Sequence, residues 1–425
     1  MPIADDMAQP ISAMATKAFV NTFDENKPTL RFIFYELWDK FLEFIKTYIA
    51  PDGTRVIIRD VVFKNVELMR YCGTGALGFE VYECPYCHNT HIIGYTCKSR
   101  FCPSCGVKET KQRAEYAANS TLDVNHRHIV FSIDESLRVY FKRDRKRLNF
   151  LFEAAWETLT YTFNKAYAKK GDVFTPGVII TLHTFGRDLK WNPHVHCIVT
   201  EGGMNNAGLY KAVQYISYEG LRKSFMKVLL DKLRDSMVKG SPEYIEFMRV
   251  KSHLYQTDTN GFYVYAPPRN MKNQKDKKAC IKYDMRYTGR PAMAESRIIS
   301  YDYDARQITY YYDDHKTEER IEVTESVFQF FLKLIQHIPD EGFKMVRCYG
   351  LYATTDRSRH KKTVKRKLSK SLLHFAWNRR EKKHYRRTLI ETFGVDPLLC
   401  TCGHYMEFYD YYVPDRLPGG GELPP

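Results

Sequence analysis

Trp191-Asn-Pro-His194-Val-His196-Cys-Ile-Val-Thr200 reads as a β-strand that opens on a proline and carries two imidazoles two residues apart. Successive strand residues face opposite sides, so His194 and His196 project together while Val195 turns toward a core. Pro193 suits the beginning of such a strand, where its missing N–H does no harm. Upstream of this stretch, Arg127-His-Ile-Val-Phe-Ser-Ile133 and Gly177-Val-Ile-Ile-Thr-Leu-His183 show the same β-type pattern. Residues 142–169, rich in Phe, Leu and Ala, predict a long amphipathic helix, and residues 217–239 another. Residues 297–303 and 307–313 predict a hairpin. Near the N-terminus, Phe32, Phe34, Trp38, Phe41, Phe44 and Ile45 recur at three- and four-residue steps, so 28–70 reads as helical. Strands and helices in this mixture predict an α+β fold with a central, mainly antiparallel sheet and flanking helices.

Two histidines in register on one strand make half a metal site. His-X-His alone is common without a metal; here it sits on a strand of a basic protein. His183, ending the preceding strand, is a candidate third ligand, and Glu295 is another. Imidazoles completed by water and phosphate oxygens suit Mg2+ or Mn2+ in phosphoryl transfer. Such an ion polarises a scissile phosphate rather than generating a hydroxide nucleophile.

The chain has 425 residues, a formal charge of +15 and 44% hydrophobic residues, enough for two or three domains with real cores. A basic balance is often no more than a solvated surface, but it also suits a nucleic-acid partner, whose phosphates release counterions to Lys and Arg. Arg357–Arg387 holds fourteen Lys or Arg residues, Lys365, Arg366, Lys367, Arg379 and Arg380 among them, against the single acidic Glu381. Leu372, Leu373, Phe375, Ala376 and Trp377 are interleaved, the pattern of a phosphate-tracking surface. No apolar run reaches the roughly 18–20 residues that span a bilayer. Met1–Pro10 has no secretory pattern, so the chain is expected to be cytoplasmic.

Six of eleven cysteines crowd into 72–105, which in a reducing compartment favours thiolate metal ligation over disulfides. Cys84-Pro-Tyr-Cys87 and Cys102-Pro-Ser-Cys105 each present two thiolates, and together they predict one tetrahedral, structural Zn2+. Cys97, Cys72, His88 and His91 are spare ligands. Basic Lys98, Arg100 and Lys108 suit DNA contact, and Cys400-Thr-Cys402 with His404 has the look of a degenerate second knuckle.

The segment Cys280-Ile-Lys-Tyr283-Asp-Met-Arg286-Tyr287-Thr-Gly-Arg290-Pro291 carries a tyrosine pair. On a helix, Tyr283 and Tyr287 share one face about 6 Å apart. With 31 tyrosines in the chain, such a pair is expected by chance. Its surroundings single it out: Lys282, Arg286 and Arg290 flank it and Arg297 follows, and cations favour the phenolate that attacks phosphorus. A covalent phosphotyrosine conserves the energy of the broken bond, in keeping with the lack of a Gly-Lys-Ser/Thr nucleotide loop.

His-hydrophobic-His followed about ninety residues later by Tyr-X-X-X-Tyr resembles the two-tyrosine form of the HUH endonuclease superfamily. The likeness extends to Leu182-His-Thr-Phe-Gly186, Asn192-Pro-His-Val-His196, Arg286-Tyr-Thr-Gly-Arg-Pro291, Glu295-Ser-Arg-Ile298 and the run Cys97-Lys-Ser-Arg-Phe-Cys-Pro-Ser-Cys105. Over roughly residues 30–405 the chain is similar to rolling-circle insertion-sequence transposases of the IS-ninety-one type. The resemblance implies an HUH endonuclease domain that cleaves single-stranded DNA at transposon ends, leaving a 5′-phosphotyrosine and a free 3′-OH. Single-stranded DNA at the ends and target would be the partner. The expected order is a helical region at 1–70, a zinc-ribbon-like module at 71–115 and the HUH domain at 120–313. A basic DNA-binding region at 320–417 and a tail at 418–425 follow. Tyr349, in Arg347-Cys-Tyr-Gly-Leu-Tyr352, is a departure that leaves open which tyrosines act. The alternatives are a plasmid relaxase or replication initiator with the same chemistry, a zinc-ribbon regulator without catalysis, and a His-X-His phosphoesterase that forms no adduct.

Overall fold

The computed structural model describes residues 28–51, 53–168, 173–213, 216–266, 281–282, 285–286, 290–314, 317, 319–353, 390, 396 and 398–414. The predicted helix over 28–70 is two helices, α1 (Leu30–Thr47) and α2 (Asp60–Arg70). Thr29 caps α1 by accepting from the Phe32 N–H. Between the helices Pro51 lacks a donor, Gly53 adopts φ +79°, and Ile49 bridges Arg55, so the chain turns back. A hairpin, β1 (Phe79–Glu83) and β2 (Thr90–Gly94), leads to α3 (Pro103–Ser120), which has its proline in the first turn.

β3 (His126–Ser132) comes next, then the short α4 (Arg138–Arg143) and α5 (Leu148–Tyr167). The predicted helix over 142–169 therefore starts later. Asp144 accepts from the Lys146 N–H and holds a tight turn before Leu148. β4 (Thr175–Phe185), β5 (Trp191–Met204) and β6 (Tyr210–Ala212) follow, then α6 (Tyr218–Asp235), α7 (Pro242–Thr257) and β7 (Val264–Tyr265). The predicted hairpin is present as β8 (Ile298–Asp302) and β9 (Gln307–Asp313), extended by β10 (Arg320–Ser326). α8 (Val327–Ile335), β11 (Val346–Gly350) and β12 (Glu407–Tyr412) complete the described elements.

The central sheet has the order β11-β4-β5-β3-β7, with β6 on β5, and every pairing is antiparallel. Val178, Ile180 and Leu182 of β4, Val195, Cys197 and Val199 of β5, and Ile129 and Phe131 of β3 line one face. There they pack beneath α5 and α6, with Phe152, Phe163 and Phe225 in the same core. The alternate residues Ile179 and Ile198 face the other way, against Ala114, Ala117 and Ala118 of α3 and against Ile281 and Met285.

A second core groups the chain by contact rather than by sequence order. α1 and α2 pack with Phe101, with Met293, Ile298, Ile308 and Tyr310, and with α8. Phe34 stacks on Phe331 at 3.8 Å and meets Phe101 edge-on at 5.6 Å, pairs that contribute roughly 0.5–1.5 kcal/mol each beyond area burial. Residues 292–338 thus share a core with the N-terminal helices, crossing the boundaries expected at 70 and 313. Among the described residues, no helix is long and apolar enough to cross a membrane.

Candidate active site

Register builds the histidine site. β4 and β5 pair so that His183 lies opposite His194, Thr181 opposite His196, and Leu182 opposite Val195. One ligand-capable atom from each of His183, His194 and His196 lies within 4.8 Å of the others. Ring centroids are 4.4 Å apart for His183 and His196, and 4.9 Å for His194 and His196. Glu295, the other third-ligand candidate, is outside this group and sits in a 3-10 turn before β8.

Hydrogen bonds select the ring nitrogens. His194 Nδ1 donates to the Asn192 carbonyl at 2.7 Å, which leaves Nε2 with its lone pair. His196 Nδ1 is 2.9 Å from His128 Nε2. Burial lowers the pKa of both His194 and His196, so the neutral, ligating form is favoured. Burial likewise pushes His128 down to about 4, and a neutral His128 Nε2 can accept the His196 Nδ1 proton. Three neutral imidazoles converging on one point fit a divalent cation.

His128 was not among the residues singled out in the sequence. The signal was there: His126-Arg-His128 is a second His-X-His on a strand, and β3 pairs with β5. A histidine that orients a ligand through its other ring nitrogen typically contributes 10- to 100-fold to metal affinity or activity. His128→Ala is accordingly expected to weaken Mn2+ binding about tenfold or more in a titration followed by electron paramagnetic resonance. His128→Gln, which retains an acceptor, should recover part of the loss. Unchanged Mn2+ affinity in His128→Ala would remove His128 from the site.

α3 lies across this face of the sheet. A small pocket beside it is lined by Arg100, Glu109, Thr110, Arg113, Thr181, Met285 and Val346. Arg113 pairs with Glu109 at 2.5 Å. Burial, and then the neighbouring Arg113, push Arg100 down to about 10, still cationic at neutral pH. Ile281 and Met285 are buried on the same face, and Lys282 is ion-paired with Glu115 of α3 at 2.8 Å. Tyr283 and Tyr287 lie outside the described residues.

The cysteines group differently from the sequence expectation of one ion on Cys84, Cys87, Cys102 and Cys105. Cys102 and Cys105 converge with Cys72 and Cys97, whereas Cys84 and Cys87 converge with Cys400 and Cys402. In the first group the sulfurs are 3.5 Å apart for Cys72–Cys105, 3.6 Å for Cys97–Cys105 and 3.8 Å for Cys72–Cys102. A tetrahedron with zinc–sulfur bonds of roughly 2.3 Å requires sulfurs roughly 3.8 Å apart. Cys97, expected as a spare ligand, is a full member.

Residues 177–361, which contain all three converging histidines, match the family described as "Putative transposase". Residues 40–133 match the family described as "Transposase zinc-binding domain". The transposase for insertion sequence element IS801 of Pseudomonas savastanoi pv. phaseolicola is 31% identical over 305 residues, 70% of this chain and 71% of that protein. The chain belongs to the IS91-type transposase family. "Putative transposase y4qJ" of Sinorhizobium fredii is 25% identical over 328 residues, 74% of this transposase and 79% of that protein. No solved structure matches.

The other residues expected to touch DNA divide into several groups. Arg297 is spent on the fold: its guanidinium donates to the carbonyls of Tyr311 at 2.9 Å, Arg187 at 2.6 Å and Ala292 at 3.3 Å. These bonds give Arg297 a structural role beside the expected DNA contact. Lys282 is engaged by Glu115, whereas Arg286 and Arg290 are exposed. Lys365, Arg366, Lys367, Arg379 and Arg380 lie outside the described residues of the transposase. Tyr349 belongs to the helix-covered face, where it stacks on Trp156 at 5.4 Å, away from the histidines.

Proposed function

We propose that this transposase cleaves and rejoins single-stranded DNA at transposon ends through 5′-phosphotyrosine intermediates, as in rolling-circle transposition. The observation that carries the reading is the convergence of His183, His194 and His196 on the sheet face where Ile281 and Met285 are buried. Those two apolar residues bracket Tyr283, and Tyr287 follows two residues after Met285. In this reading the three imidazoles hold Mg2+ or Mn2+, which supplies positive charge to the non-bridging oxygens of the scissile phosphate.

The phenolate oxygen of Tyr283 or Tyr287 attacks phosphorus, the P–O3′ bond breaks, and the departing 3′-oxygen takes up a proton. The 5′-phosphate stays on the tyrosine. Rejoining is the reverse: a 3′-OH attacks the phosphotyrosine, loses its proton and releases the phenol, so no external energy is required. Exposed Arg286 and Arg290 suit the strand's phosphates. The basic segment 357–387 is proposed to track the backbone without reading sequence. A zinc ion on Cys72, Cys97, Cys102 and Cys105 is proposed to be structural, since four thiolates close its coordination. A relaxase or replication initiator would share the chemistry; membership in a transposase family favours the transposition outcome.

The test is adduct mapping on an oligonucleotide from the element's own terminus. Tyr283→Phe and Tyr287→Phe are each expected to retain some single-strand cleavage and to block complete transposition. The double variant should lose the covalent protein–DNA band, which mass spectrometry of each single variant assigns to the remaining tyrosine. Cleavage without any covalent band would favour a hydrolytic phosphoesterase. An adduct that persists in the double variant would overturn the tyrosine assignment.

A further inference from the structure

We infer that Cys84, Cys87, Cys400 and Cys402 bind a second zinc ion, and that this ion fastens the C-terminal strand β12 to the N-terminal hairpin. The four sulfurs converge, with Cys84 and Cys402 at 3.5 Å and Cys87 and Cys400 at 3.5 Å. That is close to the sulfur spacing of a zinc tetrathiolate. The other four clustered cysteines already make a complete set, so Cys84 and Cys87 need ligands from elsewhere in the chain.

Both contributing turns have backbone conformations that turn thiolates inward. In the first, the His88 N–H donates to the Cys84 carbonyl at 3.0 Å and the Cys84 N–H to the Asn89 carbonyl at 2.9 Å. In the second, the Gly403 N–H donates to the Cys400 carbonyl and the Cys400 N–H to the His404 carbonyl, both at 2.9 Å. The corresponding residues His88 and Gly403 both take positive φ, 54° and 87°. A left-handed conformation costs glycine little but a histidine more, and at His88 it is accompanied by a 2.7 Å contact between Nδ1 and the Glu83 carboxylate. Tyr86 of one turn stacks on His404 of the other at 3.7 Å.

Strand pairing agrees with the shared ion. β1 is the centre of a three-stranded sheet with β2 on one side and β12 on the other, paired from Phe79–Tyr412 to Glu83–Glu407. Every residue of β12 is exposed, including Phe408, Tyr409, Tyr411 and Tyr412. So little apolar burial cannot hold a ribbon of this size. Tetrathiolate coordination supplies what packing does not, because metal binding to such a site is itself folding free energy. The match to the transposase zinc-binding domain ends at residue 133 and excludes Cys400 and Cys402. The second ion therefore joins residues more than 300 positions apart, and the chain that leaves the central sheet after β11 is brought back to the hairpin.

The experiment is zinc analysis of the full-length chain, where two ions per chain are expected. Cys84→Ser/Cys87→Ser and Cys400→Ser/Cys402→Ser should each lose one ion, and the quadruple variant should still retain one, because both pairs serve the same site. Two ions remaining in Cys400→Ser/Cys402→Ser, or only one in the wild type, overturns the assignment. A measurement on the wild-type chain stands independently of how the variants fold. Cys87 and Cys402 are exposed to solvent, so as free thiols they would alkylate rapidly. They should instead be protected until a chelator is added, and then become reactive together with Cys84 and Cys400. A Cys402 that alkylates at the rate of a free thiol while zinc is bound would equally defeat the proposal.

Discussion

Replacing His194 or His196 by alanine is expected to abolish DNA cleavage while leaving most DNA binding intact. Each imidazole supplies one of three converging nitrogens, and His196 is also the one hydrogen-bonded to His128. Losing a ligand forfeits the ion's stabilisation of transition-state charge, worth several kcal/mol, so the covalent adduct should form roughly a thousandfold more slowly or not at all. Binding rests on Lys and Arg residues distributed over the chain, and deleting a neutral imidazole does not alter that charge. Fluorescence anisotropy should therefore give a dissociation constant within a few-fold of wild type, while the adduct band disappears. A melting measurement guards against misreading. His196 is buried, so its loss also leaves a cavity, whereas His194 is half-buried and its variant should melt close to wild type. Full metal-dependent nicking by the double variant would sink the metal-site reading.

The histidine site was legible because it depends on a local rule. Period-two alternation puts His194 and His196 on one face whatever the strand pairs with. His183 needed one further step, the antiparallel β4–β5 pairing, which its place at the end of the preceding strand already suggested. The cysteines show where local rules stop. The turn at Cys84–Cys87 has the same Cys-X-X-Cys form as that at Cys102–Cys105, and nothing in that form says which thiolates share an ion. Sequence proximity favoured joining the two, but the partners of Cys84 and Cys87 are at Cys400 and Cys402, brought in by β12 pairing. The structural role of Arg297 was hidden for a related reason. Its position after a run of cations suggested phosphate, whereas the loop after β4 supplies the carbonyl of Arg187 and β9 that of Tyr311. The break in the first helix was visible as Pro51 and Gly53; the shared core of α1 with α8 was not, since it depends on contacts across about 300 residues.

Cys102→Ser is expected to destabilise the chain far more than Cys402→Ser and to damage the active site from a distance. Cys102 is buried at the N-cap of α3 beside Cys72, which follows α2, so the proposed first ion ties two helices and the loop between Cys97 and Cys102 to one point. That loop is packed as well as ligated. Phe101 sits edge-on to Phe34 of α1, Ser99 donates to Asn65 of α2 at 2.6 Å, and Arg31 donates to the Cys72 carbonyl at 2.7 Å. Serine keeps the size but not the thiolate, and the loss leaves three cysteines crowded around a missing ligand. Structural zinc sites contribute roughly 10–16 kcal/mol of apparent binding free energy in isolated peptides. That is comparable to the roughly 5–15 kcal/mol net stability of a domain, so losing even part of it removes much of the margin. Folded yield and zinc content should fall together, with the thermal midpoint lowered by well over ten degrees in whatever folds. The effect should reach the histidines because α3, which begins at this cluster, presents Ala114, Ala117 and Ala118 to Ile179 and Ile198 on the histidine-bearing face. Lys282 on the tyrosine-bearing segment pairs with Glu115 of the same helix. Cys402→Ser, by contrast, removes a ligand from the exposed ribbon and should leave α3 and the histidine face in place. A Cys102→Ser chain that melts with the wild type after losing zinc would show that packing alone positions α3.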